Sequence, residues 1–144
     1  MDNQQKKRIL SQYLEIKAET KQIQEYYTEM RLSLESAQAQ VLTDMPRGGG
    51  GRTDKIGDGL ARLEDYYNKH VDLVDAYLAI EKCISRLKDL TLRKLMRLRY
   101  IQGLTWEEIY KEIEYECTHT HRLHNKALDL LKMDDLEWLT QLIN

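Results

Sequence analysis

Apolar residues recur along the first third of the chain at alternating intervals of four and three. The stripe consists of Ile9, Tyr13, Ile16, Thr20, Ile23, Tyr27, Met30 and Leu34, with Thr20 as its one polar member. This heptad spacing predicts a long α-helix over residues 1–43, capped by Asp2 or Asn3. Because a single apolar stripe is not stable in water, the helix needs a partner.

The helical pattern is interrupted over residues 44–55. This segment holds Pro46 and the glycines Gly48–Gly51, flanked by Arg47 and Arg52, and we interpret it as a Gly-rich linker. A second stripe then predicts a helix over residues 56–88, with Thr53 or Asp54 as its cap: Ile56, Leu60, Leu63, Tyr67, Val71, Val74 and Leu78. The two long helices are expected to form an antiparallel hairpin, with pairing between two chains as the alternative.

Residues 89–132 predict three shorter helices. Thr91 is expected to cap the first, Leu92 to about Ile101, which Gly103 ends in the left-handed conformation. Thr105 and Glu108 form a capping box that starts the second, 106–113. After a turn at 114–116, the third runs from Cys117 to about Lys132 with an inward stripe of Thr120, Leu123, Ala127, Leu128 and Leu131. Residues 133–144 predict a last short helix, so the expected fold is all-α.

A helix, a tight turn and a longer helix with polar residues crowding its start are typical of a DNA-binding helix-turn-helix. The outward residues of the third helix suit contacts with DNA: Arg122 with guanine, Asn125 with adenine, Thr118, His119 and His121 with bases or phosphates, and Lys126 with a phosphate. Arg97 and Arg99, on the first of these three helices, are candidates for contacts with the DNA backbone. Double-stranded DNA is therefore the expected partner.

The stretch LMRLRYIQGLTWEEIYKEIEYECTHTHRLHNKALDLLK resembles region four of sigma-70 family factors. The matching residues are Leu95 to Tyr100, Leu104 to Ile109, Ala127, Leu128 and Leu131. The whole chain resembles the RinA/ArpU-type late transcriptional activators encoded by phages and prophages of Gram-positive hosts. The resemblance implies an activator of phage or prophage genes that reads bases with Thr118, His119, His121 and Arg122 and places Thr105, Arg97 and Arg99 near the backbone. Host RNA polymerase is a further partner to consider.

Several residues depart from the sigma-like pattern. Glu114 stands where the family has a turn glycine, Glu116 replaces a Ser/Thr cap, and Thr120 replaces an apolar core residue. The third helix also has one arginine and three histidines, where the family has several arginines. This substitution predicts weaker and more pH-sensitive DNA binding. No segment resembles sigma region two.

Composition bears on the fold class and on the cellular location. The 144 residues are 42% hydrophobic and 32% charged, with seven glycines and one proline, which favours long helices. The net charge is −2, although residues 88–132 have an excess of two positive charges. Two distant cysteines, and the lack of a signal or membrane-spanning apolar run, predict a cytoplasmic protein without membrane contact.

Different functions are compatible with the same residues. Cys117, His121 and His124 share one helical face, which is a zinc-like spacing, but a structural site needs a fourth ligand. No catalytic motif is present, so we expect neither an enzyme nor a cofactor. The helical pattern also suits a small-terminase-like DNA-packaging protein or a coiled-coil adaptor without DNA binding. A homodimer through the long helices is compatible with each of these functions.

Overall fold

In the computed structural model of the protein, residues 1–43 and 50–143 are described, without the side chains of residues 40–43, 50–55 and 143. Within these ranges the chain is helical and contains no strand, which confirms the all-α class. The helices are α1 (Asn3–Ser11), α2 (Tyr13–Thr43), α3 (Gly50–Ser85), α4 (Leu90–Met96), α5 (Trp106–Ile113), α6 (Cys117–Leu130) and α7 (Trp138–Ile143). A π-helical stretch spans Arg97–Ile101 and a 3-10 turn spans Asp134–Leu136.

Two compact units divide the chain. The first, unit 1, comprises Met1–Lys17 and Asp75–Asn144; the second, unit 2, comprises Ala18–Val74. The predicted boundaries between residues 43 and 44 and between 88 and 89 do not coincide with this division. Among the described residues, no helix is long and apolar enough to cross a membrane.

Unit 1 encloses the main core. Its fully buried side chains come from α1, the end of α3, α4, α6 and α7, and include Ile9, Leu10, Ile80, Ile84, Leu92, Leu95, Leu128 and Leu139. A neighbouring cluster of Leu95, Leu98 and Ile109 packs against Leu104, Trp106, Ile113 and Leu123. Helices α4, α5 and α6 are each too short to be stable alone. The apolar contacts that they share in this cluster therefore stabilise all three.

The first helix packs on α6 through polar contacts as well as apolar ones. The buried Lys6 Nζ donates to the carbonyl of Leu128 at 2.7 Å, and Asn3 Nδ2 donates to Asp129 Oδ1 at 2.7 Å. The last carbonyls of a helix have no partner within it and attract cations. Lys6 therefore satisfies the C-terminal end of α6, a contact between the ends of the sequence that its local pattern does not predict.

Unit 2 is an antiparallel pair formed by parts of α2 and α3. Tyr26 stacks with Tyr66 at 6.2 Å between ring centroids, and Tyr27 lies 6.0 Å from Tyr67. Leu34 covers Gly59 so closely that a Cβ at residue 59 would collide with its side chain. A side chain at residue 59 would therefore require Leu34 to change its conformation.

The stripe predicted for the first long helix runs along α1 and α2, and the structure buries or half-buries it from Ile9 to Leu34. On α3 the prediction is wrong in part. Leu60, Tyr67, Val71 and Leu78 are exposed, whereas the covered stripe is Gly59, Leu63, Tyr66, His70, Leu73, Tyr77 and Ile80. Both stripes have heptad spacing, so the choice between them depends on contacts with α2 and not on periodicity.

Several predicted boundaries and caps also change. The first predicted helix is divided by a turn at Gln12. Helix α3 begins at Gly50, inside the predicted linker, while residues 44–49 with Pro46 and Arg47 lie outside the described residues, as do the side chains of Arg52, Thr53 and Asp54. Asp89, not Thr91, caps α4, since its Oδ1 accepts from the backbone N–H of Thr91 and of Leu92 at 2.9 and 3.2 Å.

Candidate nucleic-acid interface

The segment from Gly103 to Leu130 begins with two residues that fix its path. Gly103 has φ +71°, as predicted, and a Cβ there would also collide with Leu14. Thr105 caps α5, because its Oγ1 accepts from the backbone N–H of Glu108 at 3.3 Å. The same hydroxyl donates to Glu108 Oε1 at 3.0 Å, so the carboxylate contacts the capping side chain and not the backbone N–H of Thr105 that a full capping box would use.

The turn between α5 and α6 contains a left-handed residue that is not glycine. Glu114 has φ 62° and ψ 27°, and its backbone N–H donates to the carbonyl of Tyr110 at 3.0 Å. A side chain in this conformation costs about 1–2 kcal/mol relative to the right-handed helix. The sigma-like resemblance implies a glycine at this position, and a glycine would adopt the same left-handed conformation without this cost.

Two histidines of α6 turn inward towards the aromatic face of α5. The ring centroid of Trp106 lies 4.6 Å from that of His121 and 4.9 Å from that of His124. Tyr110 Oη and His121 Nε2 share a hydrogen bond at 2.8 Å. His121, which we expected to face outward, is therefore half-buried and sets the position of α6 on α5.

His124 is the most deeply buried of the three histidines on α6. It is 4% exposed, and its Nε2 shares a 2.7 Å hydrogen bond with the hydroxyl of buried Tyr100. Burial lowers the pKa of His124 to about 4, with smaller contributions from the positive charge of Lys7, from His121 and from Arg99. Burial also raises the pKa of Tyr100 to about 12, so both groups are neutral near pH 7.

Cys117 does not join the two inward histidines. Its Sγ donates to the hydroxyl of Tyr110 at 3.0 Å, while His121 and His124 contact Tyr110 and Tyr100 respectively. In the described part of the chain, no group of three or more His, Cys, Asp or Glu side chains could hold a metal ion. The aligned spacing of these residues serves hydrogen bonding with two tyrosines.

Five predicted contact residues on α6 have exposed side chains: Thr118, His119, Arg122, Asn125 and Lys126. Arg122 and Asn125 are one turn apart, as are Arg122 and Lys126, so the three lie on one side of the helix. His119 packs edge-on against Tyr115, with 4.9 Å between ring centroids. The N-terminal half of α6 therefore presents donors and acceptors of the kinds that read base edges.

The three predicted backbone contacts outside α6 are engaged within the protein. Arg99 lies over the ring of Trp106 at 4.6 Å and donates to the carbonyl of Leu104 at 3.0 Å. Arg97 donates to Ser85 Oγ at 2.8 Å but is exposed, and the hydroxyl of Thr105 is used in capping. Arg97 thus retains an accessible charge, whereas Arg99 and Thr105 serve mainly to position α5.

Charge is divided unevenly across this segment. Residues 105–116 carry five carboxylates, Glu107, Glu108, Glu112, Glu114 and Glu116, against Lys111 alone, whereas α6 carries Arg122 and Lys126 against Asp129. The net excess of two positive charges over residues 88–132 does not show this difference between an acidic α5 and a basic α6. Since carboxylates repel phosphates, any nucleic acid must approach from the side of α6 and not across α5.

Sequence reasoning missed the role of Tyr100, Trp106 and Tyr110 as partners of histidines. The signal was available for His124, which follows Thr120 by four residues and precedes Ala127 by three, and so falls on the inward stripe. Comparisons with family models, with curated proteins and with solved structures found no match for the chain.

Proposed function

We propose that this protein is a sequence-specific DNA-binding regulator of transcription. The observation that supports it best is the pairing of α5 with α6 through a three-residue turn, with polar side chains exposed on the first turns of α6. This is the layout in which the second helix of a helix-turn-helix enters the major groove. The sigma-region-four resemblance further suggests an activator of phage or prophage genes.

Arg122 is the proposed base-reading residue with the strongest chemical case. It is exposed and has no ion pair with a carboxylate among the described residues, so its guanidinium is available for guanine O6 and N7. Asn125, one turn later, suits adenine, and Thr118 and His119 lie nearer the start of the helix. Lys126 is proposed to contact a phosphate. His121 is removed from the base-reading set, because its ring packs on Trp106 and shares a hydrogen bond with Tyr110.

A second copy of the chain is the proposed protein partner. Leu60, Tyr67 and Val71 are spaced by seven and four residues on α3 and are 46%, 53% and 37% exposed. An exposed apolar stripe with heptad spacing is typical of a helix that pairs with another helix. Two chains joined in this way would present two copies of α6, and dimeric helix-turn-helix proteins read paired half-sites.

A selection experiment tests the proposed function. The purified full chain is incubated at near-physiological salt with a random duplex pool, and bound sequences are enriched over several rounds. We expect a defined motif for the wild type and for Arg62→Ala, an exposed arginine of α3 that serves as the matched control. We expect the Arg122→Ala variant to lose preference at one base pair, a cost of about 1–3 kcal/mol.

A protein-binding adaptor is the second candidate, and the five carboxylates on α5 and the following turn favour it. In that case the exposed face of α6 would contact a protein, and the acidic side of α5 would keep phosphates away. The adaptor predicts no enrichment from the pool for any variant. It also predicts that binding to random DNA, if measurable at low salt, disappears as salt is raised.

A further inference from the structure

Unit 1 contains a cavity of about 480 Å³ at the C-terminal end of α6, away from the exposed residues at its start. It lies between the end of α3, the residues that lead into α4, and the last turn of α6. Its apolar wall is formed by Cys83, Leu87, Leu130 and Leu131. Its volume is in the range of sites that hold one small molecule, which are commonly apolar with a few polar groups.

The rim of this cavity is strongly positive. Arg86, Lys88, Lys126 and Lys132 all line it, against the single carboxylate of Asp89. That carboxylate is already used, because its Oδ1 accepts from two backbone N–H groups at the start of α4. The rim therefore offers four cations against one carboxylate, an excess of positive charge that favours an anionic ligand.

One of these cations is partly neutralised and the other three are not. Arg86 lies 3.5 Å from Asp135 in an exposed pair. Within the described ranges, Lys88, Lys126 and Lys132 form no ion pair, and each is exposed. Like charges gathered around one opening repel one another, and an anion placed among them relieves that repulsion.

The apolar wall is also incompletely covered. Leu130 is 53% exposed, and it stands one turn beyond Lys126 on the same side of α6. Burying such a side chain against an apolar ligand is favourable by about 25 cal/mol for each Å² removed from water. The cavity thus combines an apolar surface, which an apolar ligand would bury favourably, with a cationic rim, whose mutual repulsion an anion would reduce.

We propose that this cavity binds a small anionic amphiphile, a carboxylate on an apolar chain such as a free fatty acid. The chain would cover Leu130, the one exposed leucine of the wall, and the carboxylate would accept hydrogen bonds from the lysines of the rim. A single concave space of this volume suits one small ligand better than an extended peptide, which needs a longer groove.

The site bears on DNA binding if the proposed function holds. Lys126 lines the cavity and is also the proposed phosphate contact, one turn from Arg122. A carboxylate bound at Lys126 would compete with a DNA phosphate for the same charge. This coupling rests on the proposed function, whereas binding of the amphiphile does not.

Direct titration of the full chain tests the site in the absence of DNA. Decanoate, decanol and decyltrimethylammonium share one chain length and differ in charge. The two ions are added below their micelle concentrations and decanol below its solubility limit, while heat is measured. We expect decanoate to bind once per chain, decanol about tenfold more weakly because it lacks the charge, and the cation not at all. Equal binding of all three, or none by decanoate, would overturn the proposal.

Surface variants locate the site. The double variant Lys88→Gln, Lys132→Gln should weaken decanoate about tenfold without changing the affinity for decanol, and Leu130→Asn should weaken both. Matched controls in unit 2 are Lys69→Gln, an exposed lysine, and Leu32→Asn, a leucine that is 54% exposed; these should change neither. Decanoate binding that survives the cavity variants would place it elsewhere and refute the assignment.

A final arm separates the two proposals. Saturating decanoate should weaken binding to the selected duplex several-fold, since one phosphate contact is lost, and the Lys88→Gln, Lys132→Gln variant should suppress this effect. If the chain binds decanoate but selects no DNA, the cavity stands and the proposed function fails. If it selects DNA but binds no decanoate, only the cavity proposal fails, and an acidic apolar peptide becomes the occupant to examine.

Discussion

The buried pair of His124 and Tyr100 predicts that the protein loses stability in mild acid. His124 is 4% exposed and lies among Tyr100, Trp106 and His121, with the charges of Lys7 and Arg99 nearby. Burial lowers its pKa from the ordinary value of 6.5 to about 4. In the unfolded chain the same imidazole binds a proton near pH 6.5, whereas in the folded chain it stays neutral until about pH 4.

The direction of the effect follows from proton binding. Between pH 6.5 and about 4 the unfolded state holds one more proton at this residue than the folded state, so the free energy of unfolding falls as pH falls. The contribution of His124 to the free energy of unfolding is complete above pH 6.5 and is lost by about pH 4. Because a tenfold change in proton affinity is worth about 1.4 kcal/mol, this interval corresponds to about 3 kcal/mol.

Urea unfolding followed by far-ultraviolet circular dichroism, at several values between about pH 7.5 and about pH 4, measures this loss. Because the acid dependence of stability is a sum over the whole protein, the informative quantity is the difference between the wild type and His124→Gln. The variant keeps a polar side chain next to Tyr100 but has no titrating group. We expect its stability to be lower at neutral pH and to fall by about 3 kcal/mol less than that of the wild type on acidification.

A second variant separates the hydrogen bond from the titration. Tyr100→Phe removes the hydroxyl but leaves His124 buried, so it should destabilise the protein by about 1–3 kcal/mol at neutral pH while the loss in acid persists. If the wild type and His124→Gln lose stability in parallel, His124 does not carry the effect. In that case the imidazole would be accessible to water in the folded state, contrary to the packing described above.

Three further changes test other features of the structure. Glu114→Gly should raise the free energy of unfolding by about 1 kcal/mol in urea titrations, because it removes the left-handed strain; a loss of stability would mean that Glu114 makes a contact worth more than the strain. Lys6→Met should lower it by about 1–3 kcal/mol, because the carbonyl of Leu128 loses a charged donor, and an unchanged midpoint would refute that role. Light scattering should find a dimer for the wild type and for Leu32→Lys but a monomer for the double variant Leu60→Lys, Val71→Lys; a monomeric wild type at concentrations of about 100 μM would exclude the proposed partner.

Much of the local structure could be predicted from the sequence, because local signals specify it. The stripe from Ile9 to Leu34 has one heptad register, Gly103 ends its helical stretch, and Thr105 starts α5. Each of these features depends on residues within a turn or two of one another, where spacing and side-chain chemistry are sufficient evidence.

The tertiary choices could not be predicted in the same way. Helix α3 carries two stripes of heptad spacing, and which one is covered depends on α2, so Leu60 and Tyr67 were misplaced. Likewise, the contact of Lys6 with α6 joins residues at opposite ends of the sequence. Periodicity identifies the apolar face of a helix but not the helix that packs against it, which only the tertiary structure shows.

The candidate interface was predicted in part. Thr118, His119, Arg122, Asn125 and Lys126 are exposed as expected, whereas His121 and Arg99 are engaged with aromatic rings. Histidine and arginine suit both DNA and aromatic neighbours, so residue type alone did not distinguish the two roles. The stripe that passes through Thr120 and Ala127 was the better guide, since it shows which side of α6 faces inward.

A thermodynamic cycle between Arg122 and the bases of the selected site tests the central claim most directly. The dissociation constants of the wild type and of Arg122→Ala are measured for the selected duplex and for duplexes with one base pair changed. We predict that one guanine substitution weakens the wild type by about 1–3 kcal/mol and leaves Arg122→Ala unaffected, because the lost contact is the same one. If every substitution weakens both proteins equally, Arg122 does not read a base, and the proposal that α6 recognises a DNA sequence through it is contradicted.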